Sequence, residues 1–283
     1  MAKAQRCGKR IFFLYLLVSF LSAGLVSCKR NYEKKIILAG SNSVQPFAGL
    51  WAEVYGEKHP DVKVIVQGGG SSAGVEAVLI GISDIGMSSR ELKPEEEFNP
   101  DGTKRLEKVA VAYDAIAVIA NASSHLTDLT LDQLRMLFAG QINYLDGQRI
   151  TVVTREEGSG TRKSFEEAIM KLPGQKTGER ISNYAIVQDS NGAIRETVAG
   201  DPAAIGYISL GLLDKRVKAL SVNEVYPSME NIRNKKYKLV RAFLFVMKNR
   251  NNRLAEDFIE FCLSDEGQEL VAKKGLVKVK IIQ

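Results

Sequence analysis

An α/β fold built on mainly parallel sheets is what the sequence predicts, and three observations predict it. Strand-like runs rich in Val and Ile alternate with amphipathic, helix-like segments along most of the chain. Several of those strands run into short loops of Gly, Ser, Thr and Asn before the next helix begins. About 255 residues follow Cys28, enough to bury one large core or two smaller ones.

The first segment stands apart from that pattern. Lys3, Arg6, Lys9 and Arg10 precede the apolar run IFFLYLLVSFLSAGLV, which ends in LVSC. The run is shorter than the roughly 20 residues needed to span a bilayer. It reads as a secretory signal over residues 1–27, and LVSC looks like a bacterial lipobox. Cleavage before Cys28, lipid on its thiol and a short membrane-anchored tether over residues 28–34 are expected, with the rest of the protein exported. Four of the six excess positive charges leave with this segment, and the remaining lysines are scattered. That distribution removes most of the support for a nucleic-acid binder. Of the three cysteines, Cys7 lies in the signal and Cys28 at the lipid site. Cys262, at helical spacing among Phe258, Ile259 and Leu263, reads as a small core residue, so no disulfide framework is expected.

Element by element, KKIILAG (34–40) is a β-branched strand, and FAGLWAEVYGEKH (47–59) a helix with Pro46 near its first turn. VKVIVQ (62–67) is a strand, AGVEAVLIG (73–81) a helix and SDIGMSS (83–89) a third strand. KVAVAYDAIAVIAN (108–121) is a long apolar run that fits a buried strand pair or a crossing strand. TLDQLRMLFAG (130–140) is a helix capped by Thr130, followed by the turn YLDGQR and the strand ITVVT (150–154). A helix over 161–171, strands NYAIVQ (183–188) and AIGYIS (204–209), and the intervening helix GAIRETVAG (192–200) come next. YKLVRAFLFVMK (237–248) is a long strand, and residues 252–275 supply the closing helices.

Three loops repeat one design. IILAG leads to SNSVQP, VKVIVQ to GGGSSAG and ITVVT to REEGSGT, each between a strand and a helix. Such loops gather at the carboxyl edge of a parallel sheet, where a helix start offers unpaired N–H groups to an anion. Any single loop of this composition is explained by helix capping alone. Three together, with Arg155 in one and the SSR of residues 88–90 after a further strand, point to an oxyanion site.

Other chemistries find less support. GGGSSAG contains G-x-G-x-x-A, but the Asp84 that follows begins a strand instead of ending one, so the dinucleotide reading fails. No P-loop occurs. His59 and His125 lie in polar turns and read as surface residues, and no carboxylate spacing marks a catalytic pair. No catalytic residue, metal or cofactor is expected.

The stretches AGSNSVQPFAGLWAEVY, VQGGGSSAGVEAVLIGISDIGMSSREL, REEGSGTRKSFEEAI and NGAIRETVAGDPAAIGYISLGLLD resemble the phosphate-binding lipoproteins of bacterial ABC phosphate transporters. The resemblance runs through nearly the whole chain after the signal, in order. It implies a two-lobed periplasmic-binding-protein (type II) clamshell, each lobe a mainly parallel sheet flanked by helices, joined by two crossing strands near VAYDAIAV and KLVRAFLF. Lobe one would then hold residues 35–114 and 241–283, and lobe two residues 115–240. It further implies a monomer that captures inorganic phosphate and delivers it to membrane permease subunits. Motif by motif, the phosphate ligands would be Asn42, Ser43, Ser71, Ser88, Ser89, Arg90, Arg155, Ser159, Gly160 and Thr161. Where such proteins usually read G-S-T-T this chain has GSNS, so Asn42 offers an amide where a hydroxyl is common.

Binding then follows from solvation, because each phosphate oxygen that leaves water needs replacement donors. Discrimination against sulfate needs an acceptor for the proton that phosphate carries. Some family members place an aspartate in the loop where this chain has Ser89. Glu157, with Glu156 as second choice, is therefore expected to accept that proton or to orient Arg155. The alternative is that both only favour a helix start. Competing readings are another oxyanion such as sulfate or molybdate, a phosphate sensor, and a phosphatase-like relative.

Overall fold

The structure is a computed structural model that describes residues 34–172, 174–175, 177–248 and 252–282. The signal-like segment, Cys7 and the lipidation residue Cys28 lie outside the described residues.

Strands β1 (Lys34–Gly40), β2 (Val62–Gln67) and β3 (Ile85–Ser88) pair in parallel in the order β2-β1-β3. Between them lie the helices α1 (Gln45–Lys58) and α2 (Ser71–Leu79). The long strand β4 (Glu107–Asn121) leads to α3 (Leu131–Ala139), β5 (Thr151–Arg155) and α4 (Gly160–Phe165), which runs on as a π-turn over Glu166–Met170. Then come β6 (Ile186–Gln188), α5 (Asn191–Gly200), β7 (Ala204–Ser209) and β8 (Val217–Ala219). Strand β9 (Val240–Met247) and the helices α6 (Arg253–Leu263) and α7 (Asp265–Ala272) close the fold.

The nine strands form one sheet in the order β2-β1-β3-β9-β4-β7-β5-β6, with β8 also on β4. Its two wings are parallel, β2-β1-β3 at one end and β7-β5-β6 at the other. The centre is antiparallel, so the sheet is mixed where the sequence suggested a mainly parallel one. The reason is topological: β4 carries the chain out of the first wing, and β9 returns along the same line in the opposite direction. Residues Glu107–Ala115 of β4 pair with β9, and Ile116–Ala120 pair with β7.

Each wing is covered on both faces. In the first, Phe47, Trp51 and Tyr55 of α1 meet Phe258 and Cys262 of α6 over one face. Val75 and Val78 of α2 pack on the other, against Leu244 and Val246. In the second wing Leu134, Leu137 and Phe138 of α3 pack with Phe165 and Tyr207 on one face, while Ile194 and Val198 of α5 cover the other. Strands sandwiched in this way need apolar residues on both faces, which is why β7 and the second half of β4 are buried throughout.

Local signals set the element ends. Thr130 caps α3 by accepting the Gln133 N–H, with Gln133 returning a bond to the Thr130 N–H, and Gly140 ends the helix at φ 74°. Pro46 occupies the first turn of α1, as its missing N–H allows. Gly74 lets α2 lie directly on the backbone of β1: a Cβ there would be 2.6 Å from both the Ala39 carbonyl oxygen and Gly40 Cα. That contact brings the start of α2 to the end of the sheet. Cys262 is fully buried, and His59 and His125 are exposed, as their sequence settings suggested.

Trp51 anchors the first wing. It is fully buried, meets Phe245 edge-on at 5.8 Å, and donates from Nε1 to the Gly267 carbonyl at 2.7 Å. Trp51→Ala is expected to cost about 3–5 kcal/mol, from lost apolar burial, an unfilled cavity and an unpaired carbonyl. Urea unfolding of a chain starting at Lys29 should show a lower midpoint with an unchanged slope.

Candidate functional site

Loops from the carboxyl ends of β1, β2, β3, β5 and β6 converge on one buried polar cluster. From the first wing, Ser41 donates from Oγ to Ser89 Oγ at 2.9 Å, and the Ser89 N–H donates to Ser71 Oγ at 3.0 Å. From the second, Ser159 caps α4 by accepting the Arg162 N–H, and Thr161 shares a 2.8 Å hydrogen bond with Ser43 across the wings. Further bonds cross between the wings. Asn191 Nδ2 donates to Ser43 Oγ at 2.9 Å, the Ser72 N–H to the Gly158 carbonyl at 3.2 Å, and Ser164 Oγ to the Ser89 carbonyl at 3.0 Å. Gly160 sits where the wings come into close contact. A Cβ on it would be 2.5 Å from Ser89 Oγ and would overlap Ser71 Oγ.

Arg155, the last residue of β5, is 1 % exposed. Its Nε and Nη2 bind the two oxygens of Glu156 at 2.7 and 2.8 Å, and Nη2 also donates to the Asp189 carbonyl at 2.9 Å. The backbone N–H of Arg155 donates to the Tyr207 hydroxyl, and burial pushes that phenol up to about 12, so it keeps its proton. Nη1 of Arg155 is buried without a hydrogen-bond partner. A guanidinium held along one edge by a carboxylate and left with a free buried donor is poised for an anion.

The structure thus gathers Ser43, Ser71, Ser89, Arg155, Ser159, Gly160 and Thr161, all buried. Four sequence-based expectations change. Glu157 turns outward: its side chain is 88 % exposed and paired with Arg162, because the turn before α4 points consecutive side chains in opposite directions. Glu156 holds Arg155 instead. Arg90 is buried, but Nη1 and Nη2 form a fork with Glu96 at 2.8 and 2.7 Å, and Nη2 also reaches Ser72 Oγ. Burial opposes the Glu96 charge, yet the bonds from Arg90 and the Lys93 N–H outweigh it and hold the Glu96 pKa below its ordinary value. Arg90 therefore supports its loop from behind. Ser88 bonds to the Arg90 backbone at both its N–H and its carbonyl. Asn42 staples loops together, accepting from the Gly69 N–H and donating to the Asp189 carbonyl, both at 2.8 Å.

Ser41 and Asn191, which the sequence motifs do not single out, also join the cluster. Ser41 directly precedes Asn42 and Ser43 in SNSVQP, and the strand-Ser-Asn-helix pattern of IVQDSNGA repeats the design of the other loops. Beneath the cluster, Asp114 of β4 accepts from Ser209 Oγ at 2.9 Å and from Nε and Nη2 of Arg241 at 3.1 and 2.9 Å. Among the described residues Asp114 is the only buried acidic residue.

Two α/β wings joined by crossing strands, with strand ends and helix starts aimed at one buried cluster, define a periplasmic-binding-protein fold. Residues 30–266 match the PBP superfamily domain. The phosphate-binding protein PstS of Borreliella burgdorferi is 30 % identical over 278 residues, 94 % of this chain and 98 % of that relative. A phosphate ABC transporter substrate-binding protein from Clostridium perfringens, solved with bound phosphate, is 39 % identical at a TM-score of 0.80, covering 87 % of this chain and 99 % of that one. An ABC-type phosphate transport receptor from Vibrio cholerae is 34 % identical at a TM-score of 0.72, covering 86 % and 99 %. The chain belongs to the PBP superfamily and, within it, to the PstS family of phosphate-binding proteins.

Proposed function

We propose that this protein is an extracytoplasmic solute-binding protein that captures inorganic phosphate between two lobes and delivers it to an ABC permease. The observation that carries the reading is the buried, unpartnered Nη1 of Arg155 at the head of a cluster of buried hydroxyls drawn from both wings. Ser43, Ser71, Ser89, Arg155, Ser159, Gly160 and Thr161 are the proposed phosphate-binding residues, with Ser41 and Asn191 added. Hydroxyls and backbone N–H groups replace the water around the anion, and Arg155 supplies the charge-assisted bond.

Residues 35–114 with 241–283 form lobe one in this reading, and residues 115–240 form lobe two. The change of partner along β4 between Ala115 and Ile116 supports that division. Lipid on Cys28 would hold the protein at the outer side of a membrane, as a monomer with no catalytic role. The hydrogen bonds between the wings describe a closed form, whose joined surface a permease can tell from an open one.

With Glu157 exposed, the buried carboxylate among the described residues is Asp114, and it already accepts three hydrogen bonds from Ser209 and Arg241. Serine hydroxyls both donate and accept, so they serve phosphate and tolerate sulfate. This favours a second reading in which sulfate is also bound, more weakly. Calorimetric titration of phosphate and then sulfate into a chain starting at Lys29, refolded to strip bound ligand, tests both. One-to-one phosphate binding supports the proposal, and a folded protein silent to phosphate overturns it. Glu157→Gln is expected to change phosphate affinity by no more than about twofold, because its ion pair is solvent-exposed. The same titration checks it.

A further inference from the structure

The phosphate reading uses the free donor of Arg155 and leaves a second one unexplained. Arg241 lies on β9, one of the two crossing strands, opposite Asp114 on β4. Its side chain is 4 % exposed and that of Asp114 is fully buried. Nε and Nη2 both donate to Asp114 Oδ2, which fixes one edge of the guanidinium. Nη1 is buried and has no hydrogen-bond partner.

Contacts lead from this pair into the loop cluster without a break. Asp114 Oδ1 accepts from Ser209 Oγ at 2.9 Å, and the Ser209 N–H donates to Asn191 Oδ1 at 3.1 Å. Asn191 Nδ2 donates to Ser43 Oγ, which shares a hydrogen bond with Thr161. Burial lowers the Arg241 pKa, Asp114 opposes that shift, and the charge of Arg155 adds a smaller lowering. A structure that holds two like charges this way, each clamped by its own carboxylate and each with a spare buried donor, gains most when an anion meets both.

We propose that Arg241 is a further phosphate-binding residue, donating from Nη1 to the anion held by Arg155, with Asp114 as the group that positions it. The inference rests on the phosphate reading above. It gives the crossing strands a direct part in binding: a ligand bonded to β9 is tied to the strand about which the lobes would turn.

Removing Arg241 alone would strand the Asp114 carboxylate, so the informative variant replaces both. Phosphate would be titrated calorimetrically into wild-type, Asp114→Asn, and Asp114→Asn/Arg241→Gln chains starting at Lys29, with thermal unfolding of each ligand-free protein. The double variant is expected to bind phosphate about 10- to 100-fold more weakly than Asp114→Asn, at similar thermal stability. Arginine side-chain nitrogen NMR of the wild type should show the Arg241 resonance, assigned by its loss in the double variant, shift as phosphate is added. A folded double variant with the affinity of Asp114→Asn overturns the inference and leaves the phosphate reading standing. So does an Arg241 resonance unmoved at saturating phosphate. A folded wild-type protein silent to phosphate overturns both.

Discussion

Replacing Arg155 by glutamine is expected to lower phosphate affinity by about 100- to 1000-fold, roughly 3–4 kcal/mol. Arg155 is the cation that the loops enclose directly, and its guanidinium is oriented before any ligand arrives. Glu156 holds Nε and Nη2, the Asp189 carbonyl takes a second bond from Nη2, and packing leaves the side chain 1 % exposed. An anion that binds at Nη1 therefore orders little on arrival, so most of the interaction appears as affinity. Glutamine removes the charge and the fork together. The fold should tolerate the change, because the Glu156 side chain is 29 % exposed and can be hydrated once its partner is gone. Calorimetry with phosphate, beside thermal unfolding of the ligand-free protein, separates the two effects. An affinity within about threefold of wild type would remove Arg155 from the site.

Gly160→Ala is expected to weaken phosphate binding by about 10- to 100-fold, or roughly 1.4–2.8 kcal/mol, while hardly moving the unfolding temperature of the ligand-free protein. The position is conformationally ordinary; what demands glycine is the neighbour across the wings. The added methyl would overlap Ser71 Oγ and lie 2.5 Å from Ser89 Oγ. Both hydroxyls are held, Ser71 Oγ by the Ser89 N–H and Ser89 Oγ by Ser41, so moving either one breaks a buried hydrogen bond. The clash exists only while the wings are together, which is why it should act on binding more than on stability. Small-angle scattering would show phosphate compacting the wild type more than the variant. Wild-type affinity in Gly160→Ala would mean that the two wings do not meet there when ligand is bound.

Much of the fold was legible in the sequence because its signals are local. Thr130, Ser159 and Ser190 cap helices through bonds to N–H groups three residues ahead. Pro46, the β-branched runs and the small-residue loops mark elements in the same short-range way. The loops themselves could be read as an oxyanion site, since a strand, a few donors and a helix start fall within one short window. The mixed centre of the sheet was not legible, because strand direction there depends on the route the chain takes between wings.

By itself, then, the sequence determined the α/β class, the order of its elements, and the serines and Arg155 that converge at the cluster. Tertiary structure decided which charges are free to act. Arg90 follows a buried strand and Arg155 ends one, yet Glu96 encloses the terminal nitrogens of the first while Glu156 leaves a corner of the second open. Glu156 and Glu157 are neighbours in the chain and face opposite ways. Asp114 and Arg241, 127 residues apart, meet only because the crossing strands pair. A side chain's partner is set by direction and by distance through space, and in this protein the wings that supply those partners come from distant parts of the chain.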